Sequence, residues 1–288
     1  MSESLIVLKR RISTIKSTSK ITRAMDLVSS VKYQKWKKVY DDTLIYFKSM
    51  KDTMDILLSN LDISKYGFSY YYTGYETNNS IYVIVTSTLG LCGAYNYSIF
   101  KMVDPLLKEG DLLVVLGSKG LIHYKNSGFD IDDKYANIME QISYSDVKSL
   151  RHYLFRLYRE KKYKKISLCY TKYVNSLSFV PVIYDIAPLN LDLFEKKKNY
   201  SYPPLFVPDC KTCADELFPH YADSSIYKML IESQLSEQAS RRNAMQSATD
   251  NAEDILDNLK IVYNKTRQGK ITQEITEVVA GSLASERS

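Results

Sequence analysis

Three groups of residues have the type and spacing to do chemistry. Cys210 and Cys213 form a CxxC, the spacing with which two thiolates grip one zinc ion. A structural zinc needs four ligands, and no second CxxC or HxxxH accompanies this one, so it is at most half a site. The turn Thr86–Gly93, TSTLGLCG, follows an apolar run and carries glycines at Gly90 and Gly93. A dinucleotide cradle would read GxGxxG there and a phosphate loop GxxxxGK[ST]; GxxG alone offers neither the close backbone approach nor the lysine. His123, His152 and His220 have no serine, cysteine or carboxylate beside them in a nucleophile–base–orienter arrangement. The expectation is therefore a chain with no catalytic residue, no cofactor and no metal.

Charge is the next signal. The formal net charge of +6 is unevenly placed. Lys9, Arg10, Arg11, Lys16, Lys20, Arg23, Lys32, Lys35, Lys37 and Lys38 crowd one stretch in which only Asp26 opposes them, so this end calls for an acidic partner. Nucleic acid is not that partner: apolar residues alternate with the charges throughout, and no groove-reading module is present. No apolar run approaches the length of a membrane span, which leaves only a peripheral membrane role and no direct insertion. The stretch LKRRISTIKSTSKITR is Arg-rich, Ser-rich and acid-poor like a targeting peptide, but its helical pattern continues into the residues that follow and so reads as folded chain. Four cysteines in 288 residues do not make a disulfide framework, and Cys92 and Cys169 lie among small or apolar residues as buried thiols do.

The elements follow from punctuation and period. The first glycine is Gly67, the first proline is Pro105, and no proline follows Pro219, so both ends are free to form long helices. Met25, Ser29, Lys32, Trp36, Val39, Thr43, Tyr46, Met50, Thr53 and Leu57 step by four and three, as do Met245, Ala248, Ala252, Ile255, Leu259, Val262 and Thr266. Sustained four-three spacing is the seam of a coiled coil, and two such segments at opposite ends of a chain pair most simply as an antiparallel one. The small and polar seam residues make it a weak coil that leans on its surroundings. Between the helices, 80–87, 111–118, 165–171 and 178–186 are short β-branched runs, and Val147, Leu150, Leu154 and Leu157 mark one face of a helix. This predicts an open α/β sheet of four or five strands, mostly parallel, with 66–75 and 196–208 as connections. The expected division is an N-terminal coiled-coil helix over 1–62, a central α/β domain over 63–215 and a C-terminal coiled-coil helix over 216–288.

Two long stretches carry a resemblance. LKRRISTIKSTSKITRAMDLVSSVK (8–32) is similar to the N-terminal signature of gamma subunits of F-type ATP synthases, in which a basic helix carries I-x-x-x-x-K-I-T-[KR]-A-M. SEQASRRNAMQSATDNAEDILDNLKIVYNKTRQGKITQEITEVVAGSLA (236–284) is similar to that family's C-terminal signature, and ELFPHYADSSIYKMLIES (216–233) to the segment leading into it. The resemblance covers both ends strongly and the middle weakly. It implies an antiparallel coiled coil with a Rossmann-like α/β domain, standing inside a ring of three alpha and three beta subunits whose catalytic sites lie on beta. It implies further contacts to an epsilon subunit and a membrane ring, and a place at the inner face of a bacterial cell membrane. By motif position, Arg23 and Met25 would face an acidic segment of beta, while Arg267, Gln268 and Thr272 would touch ring loops higher along the shaft. One departure stands out: the family's turn reads T-S-D-R-G-L-C-G, and this chain has Thr88 and Leu89 in place of the charged pair. That loss leaves open a second reading, a gamma-like shaft driving another cytoplasmic machine.

Overall fold

The computed structural model describes residues 4–61, 75–161, 163–195 and 204–285. It divides into two compact units, one made by the N-terminal residues through Ser29 with the C-terminal residues from Arg242, the other by Ser30–Arg241. Two long helices contribute to both: α1, Leu5–Asn60, and α5, Cys210–Ser285. Asp209 caps α5, its carboxylate accepting from the Lys211 and Thr212 amides at 2.9 and 3.0 Å, and Pro219 lies inside the helix.

The first unit is a helix pair. Thr22 and Thr249 hydrogen-bond across it at 2.8 Å, Arg23 pairs with Glu253, and Lys16 and Ser19 share a groove with Leu256 and Lys260. Numbers fall along α1 as they rise along α5, so the pair is antiparallel. The second unit holds a five-stranded sheet in the order β3-β2-β1-β4-β5. Its strands are β1 (Ile81–Val85), β2 (Leu112–Leu116), β3 (Asp130–Asp132), β4 (Ile166–Tyr173) and β5 (Phe179–Ala187). Only β5 runs antiparallel, on β4. One face of the sheet is covered by α2 (Tyr95–Val103) and α3 (Ser118–Tyr124); the other packs on α4 (Tyr144–Lys161) and on the part of α1 and α5 in this unit. Along α4, Val147, Leu150, Leu154 and Leu157 are all buried, as their spacing predicts.

The five strands fall within the sequence reading of four or five; the one that the four apolar runs do not contain is β3. β3 is three residues, Asp-Ile-Asp, on an edge, too short and too polar to show a period. The aromatic stretch 66–74 and residues 196–203 lie outside the described residues.

The seams obey the four-three rule but in the other phase. On α1 the buried or half-buried positions include Ser29, Tyr33, Trp36, Tyr40, Thr43, Phe47, Met50, Met54 and Leu57, so alternate expected residues move by one: the exposed Lys32, Tyr46 and Thr53 give way to Tyr33, Phe47 and Met54, and the half-buried Val39 shares its place with the more buried Tyr40. On α5, Leu256 and Tyr263 likewise replace the exposed Ile255 and Val262, and Thr249 is more buried than the half-buried Ala248. A four-three repeat read as three-four fits the same spacing, and the structure takes the phase that buries more apolar surface. Adjacent residues therefore separate the two phases. Met54→Ala removes a fully buried side chain and is expected to cost about 2–5 kcal/mol in urea unfolding, whereas Thr53→Ala should stay within about 0.5 kcal/mol. Equal losses at the two positions would contradict the observed phase.

Candidate functional site

In an open α/β sheet the ligand crevice lies beyond the carboxyl ends of the strands, where the strand order reverses. Here that point is between β1 and β4. The glycine-containing turn leaves β1 at this edge, and its first residues are stitched to β2: the Thr86 hydroxyl donates to the Leu116 carbonyl at 2.9 Å and accepts from the Gly120 amide at 2.9 Å. Gly117 has φ +99°, and a Cβ on it would lie 2.1 Å from the Thr86 carbonyl oxygen, so the two strand ends touch where a phosphate would sit. Ser87 and Asn96 hold the next turn, the Ser87 amide donating to Asn96 Oδ1 and the Asn96 amide to Ser87 Oγ. Leu91 and Gly93 then take left-handed φ of +61° and +57°. A Cβ on Gly90 would instead meet only the Lys119 side chain, at an ordinary contact distance of 3.5 Å.

The crevice itself is filled by the chain's own α5. Ser233 Oγ lies 2.7 Å from the buried Tyr95 hydroxyl and accepts from the Thr171 amide at 3.3 Å, and Ser240 Oγ donates to the Cys92 carbonyl at 2.6 Å. Arg241 closes the edge: its guanidinium donates to the Leu89 carbonyl at 3.0 Å and to the Glu237 carboxylate at 2.7 Å, and lies 3.4 Å from the Gly90 carbonyl. The Gly90–Gly93 turn is thus a socket for a helix. Burial raises the Glu237 carboxyl above the ordinary glutamate range, while Arg241 and Lys32 pull it down less strongly.

The CxxC lies on the first turn of α5. The Cys210 thiol donates to the Leu57 carbonyl at 3.6 Å and the Cys213 thiol to the Val207 carbonyl at 3.5 Å. Burial, then Cys213 and Asp209, raise the Cys210 thiol above its usual value. Among the described residues, no group of three or more His, Cys, Asp or Glu is arranged to hold a metal ion, and no helix is long and apolar enough to cross a membrane.

The remaining expected site residues lie in the first unit. Arg23 is 69% exposed and paired with a half-exposed Glu253. Met25 is half-buried beside the seam. Arg267, Gln268 and Thr272 are exposed on α5, the Thr272 hydroxyl donating back to the Gln268 carbonyl at 3.0 Å. From Glu253 to Arg267 is fourteen residues, about 21 Å of helix, so the unit presents two separate polar stations. An exposed ion pair is worth about 0.2–1 kcal/mol, and a hydrogen bond to a charged partner about 1.5–3 kcal/mol. A well-placed foreign carboxylate can therefore take Arg23 from Glu253. What sequence reading missed is Arg241: it lies inside the matched motif, yet only the fold shows it gripping the turn 150 residues earlier in the chain.

Residues 4–284 match the family model described as ATP synthase. The ATP synthase gamma chain of Mycoplasma mobile is 36% identical over 282 residues, covering 96% of each chain, and that of Alkaliphilus metalliredigens is 33% identical over 283 residues, covering 96% of this chain and 97% of the other. Among solved structures, a chain of the Euglena gracilis mitochondrial ATP synthase in rotational state 3 aligns with TM-score 0.65 at 16% identity, covering 97% of this chain and 94% of that one. At that identity the likeness speaks for the fold.

The pH dependence of Glu237 gives a test of the socket. Its folded pKa is raised, so its contribution favours the folded state at and below the ordinary glutamate pKa of about 4.3 and is lost as pH rises through the higher folded value. Relative to Glu237→Gln, the wild-type chain should gain stability as pH is lowered through that window. Parallel urea midpoints across the range would contradict it.

Proposed function

The chain belongs to the ATP synthase gamma chain family, and on that premise we propose that it is the central rotor shaft of an F-type ATP synthase, coupling nucleotide turnover in a ring of three alpha and three beta subunits to rotation. The observation that carries the reading is the pairing of the two family signatures, 8–32 and 236–284, as an antiparallel helix pair with exposed polar stations at Arg23 and at Arg267–Thr272. The chain is read as a non-catalytic subunit: its sheet crevice is filled by α5, and the chemistry belongs to the beta subunits. Epsilon and a membrane ring are proposed as the partners of the α/β domain, which would place the chain peripherally at the inner face of the cell membrane.

A shaft works through interactions that differ between rotary states, since equal interactions in all states shift no population. Arg23 suits this because its own pair is weak, and Met25 suits it because it stands half-buried at the edge of the seam. Arg267, Gln268 and Thr272 would serve the same purpose at a second level. The turn keeps one observation for the alternative reading, a gamma-like shaft driving another cytoplasmic machine. Leu89 is 64% exposed where the family's turn has an arginine, so an apolar surface stands in place of a charged one.

Two outcomes test the proposal. The isolated chain should neither hydrolyse ATP nor bind it in the micromolar range; stoichiometric tight binding in calorimetry would overturn the non-catalytic assignment. Complexes carrying Met25→Lys should assemble and hydrolyse ATP but convert hydrolysis to mechanical output poorly, because a new charged hydrogen bond formed in a single dwell shifts state populations about ten-fold or more. A charge change at Lys38, by Lys38→Met, should do nothing. Loss of assembly with Met25→Lys would make Met25 a packing residue, and unchanged coupling would remove it from the moving interface.

A further inference from the structure

Within the second unit, α1, α4 and α5 border an open groove of about 600 Å³ lined by Val39, Asp42 and Tyr46 of α1, Tyr144 at the start of α4, and His220 and Tyr227 of α5. Its walls hold one another in place. The Tyr144 ring stands edge-on to Tyr227, centroids 5.7 Å apart at 70°. Tyrosine faces present negative quadrupole density, which attracts cations and does nothing for anions.

The charges at the rim agree. Asp41 is occupied by Lys37, but the next residue, Asp42, has neither an ion pair nor a hydrogen bond among the described residues, and its carboxylate lines the groove. His220 of α5 lines the same groove. Behind Tyr144, Asp223 is already neutralised by Arg151 at 2.6 Å. At the residues next to Tyr46 and Tyr227 the chain uses the same chemistry on itself, with Lys228 Nζ 5.2 Å from the centre of the Phe47 ring.

The shape indicates how the cation is carried. The groove is open, and beside its half-exposed Tyr46 stands the apolar side chain of Ile45, 71% exposed. A free cation is held by an enclosed box, whereas a side chain arriving on a polypeptide needs an open groove with apolar surface beside it. Guanidinium suits this surface better than ammonium, because it stacks flat on an aromatic ring while its edge pairs with a carboxylate.

We propose that this groove docks an arginine side chain of a partner polypeptide, stacked among Tyr46, Tyr144 and Tyr227 and paired with Asp42. The inference goes beyond the shaft reading and does not depend on it, since it can be tested on the chain alone. The probe is the acetylated, amidated peptide Leu-Arg-Leu, titrated into the full-length ¹⁵N-labelled chain. It is compared with the same peptide carrying citrulline, which keeps the shape and loses the charge, and with free methylguanidinium. Expected are chemical-shift changes confined to residues 39–46, 144 and 220–227, and binding weakened about ten-fold or more by citrulline, by Asp42→Asn and by Tyr144→Ala. If Tyr144→Ala fails to fold, the surface change Asp42→Asn and the citrulline peptide decide. Equal binding of the arginine and citrulline peptides, or shifts elsewhere on the chain, overturns the proposal. Methylguanidinium binding as tightly as the peptide also overturns it, in favour of a free-cation site.

Discussion

The middle of α5, from Tyr221 to Arg241, is buried on nearly every side, and the second unit is organised around that fact. A helix hydrophobic all round would satisfy such a position by packing alone. This one carries Ser224, Ser225, Glu232, Ser233, Ser236, Glu237, Ser240 and Arg241 into the interior. Each buried polar group left without a partner would cost about 1–3 kcal/mol, so the surrounding elements must offer partners at fixed places. The Thr171 backbone, the Cys92 carbonyl, the Tyr95 hydroxyl and the Leu89 carbonyl are those partners. Register between helix and sheet follows from them, because a slide by one residue would break several hydrogen bonds at once. Glu232 and Gln234 are exceptions: Glu232 Oε1 accepts from the Tyr40 hydroxyl and from the Tyr173 amide at 3.3 Å, while its Oε2 has only Lys228 at 3.4 Å and no hydrogen bond, and Gln234 Oε1 is likewise buried without one.

The helix pair of the first unit is built the opposite way. Its seam includes Ser19, Thr22, Ser29, Thr249 and Ala252, small or hydroxylated residues that bury little surface, while Ile21, Leu27, Val28, Ile261 and Ile275 lie exposed. A self-sufficient coiled coil would reverse that distribution. Apolar residues left outward on a rod suit an element sheathed by other subunits, in keeping with a shaft inside a ring. The two builds suit two tasks: a polar, register-locked joint to the sheet, and a thin rod whose outer surface belongs to its partners.

Much of this was legible in the sequence, for identifiable reasons. The long helices showed because glycine and proline are absent from α1 and sparse in α5, which holds only Pro219, Gly269 and Gly281, and four of five strands because β-branched runs between turn residues leave few alternatives. The seam period was legible and its phase was not, since Lys32 and Tyr33, or Thr53 and Met54, satisfy the same arithmetic until burial chooses. β3 was hidden by its length and its two aspartates. The turn at Gly90 and Gly93 was visible as unusual, but its purpose could not be read locally: the residue that occupies it, Arg241, is distant in sequence. Arg23 and Met25 came from a motif alone, and the structure adds the weakness of the Arg23–Glu253 pair, which spacing cannot reveal.

The account's central claim is that this chain turns inside a ring of alpha and beta subunits. The direct measurement is single-molecule: the three subunits are assembled, the ring is fixed to a surface, and a bead is attached to the α/β domain of this chain. On adding ATP, the account predicts unidirectional rotation in steps of about one third of a turn, the angle that three equivalent catalytic sites impose on one shaft. A complex that binds the chain and hydrolyses ATP while the bead only diffuses in place would contradict it.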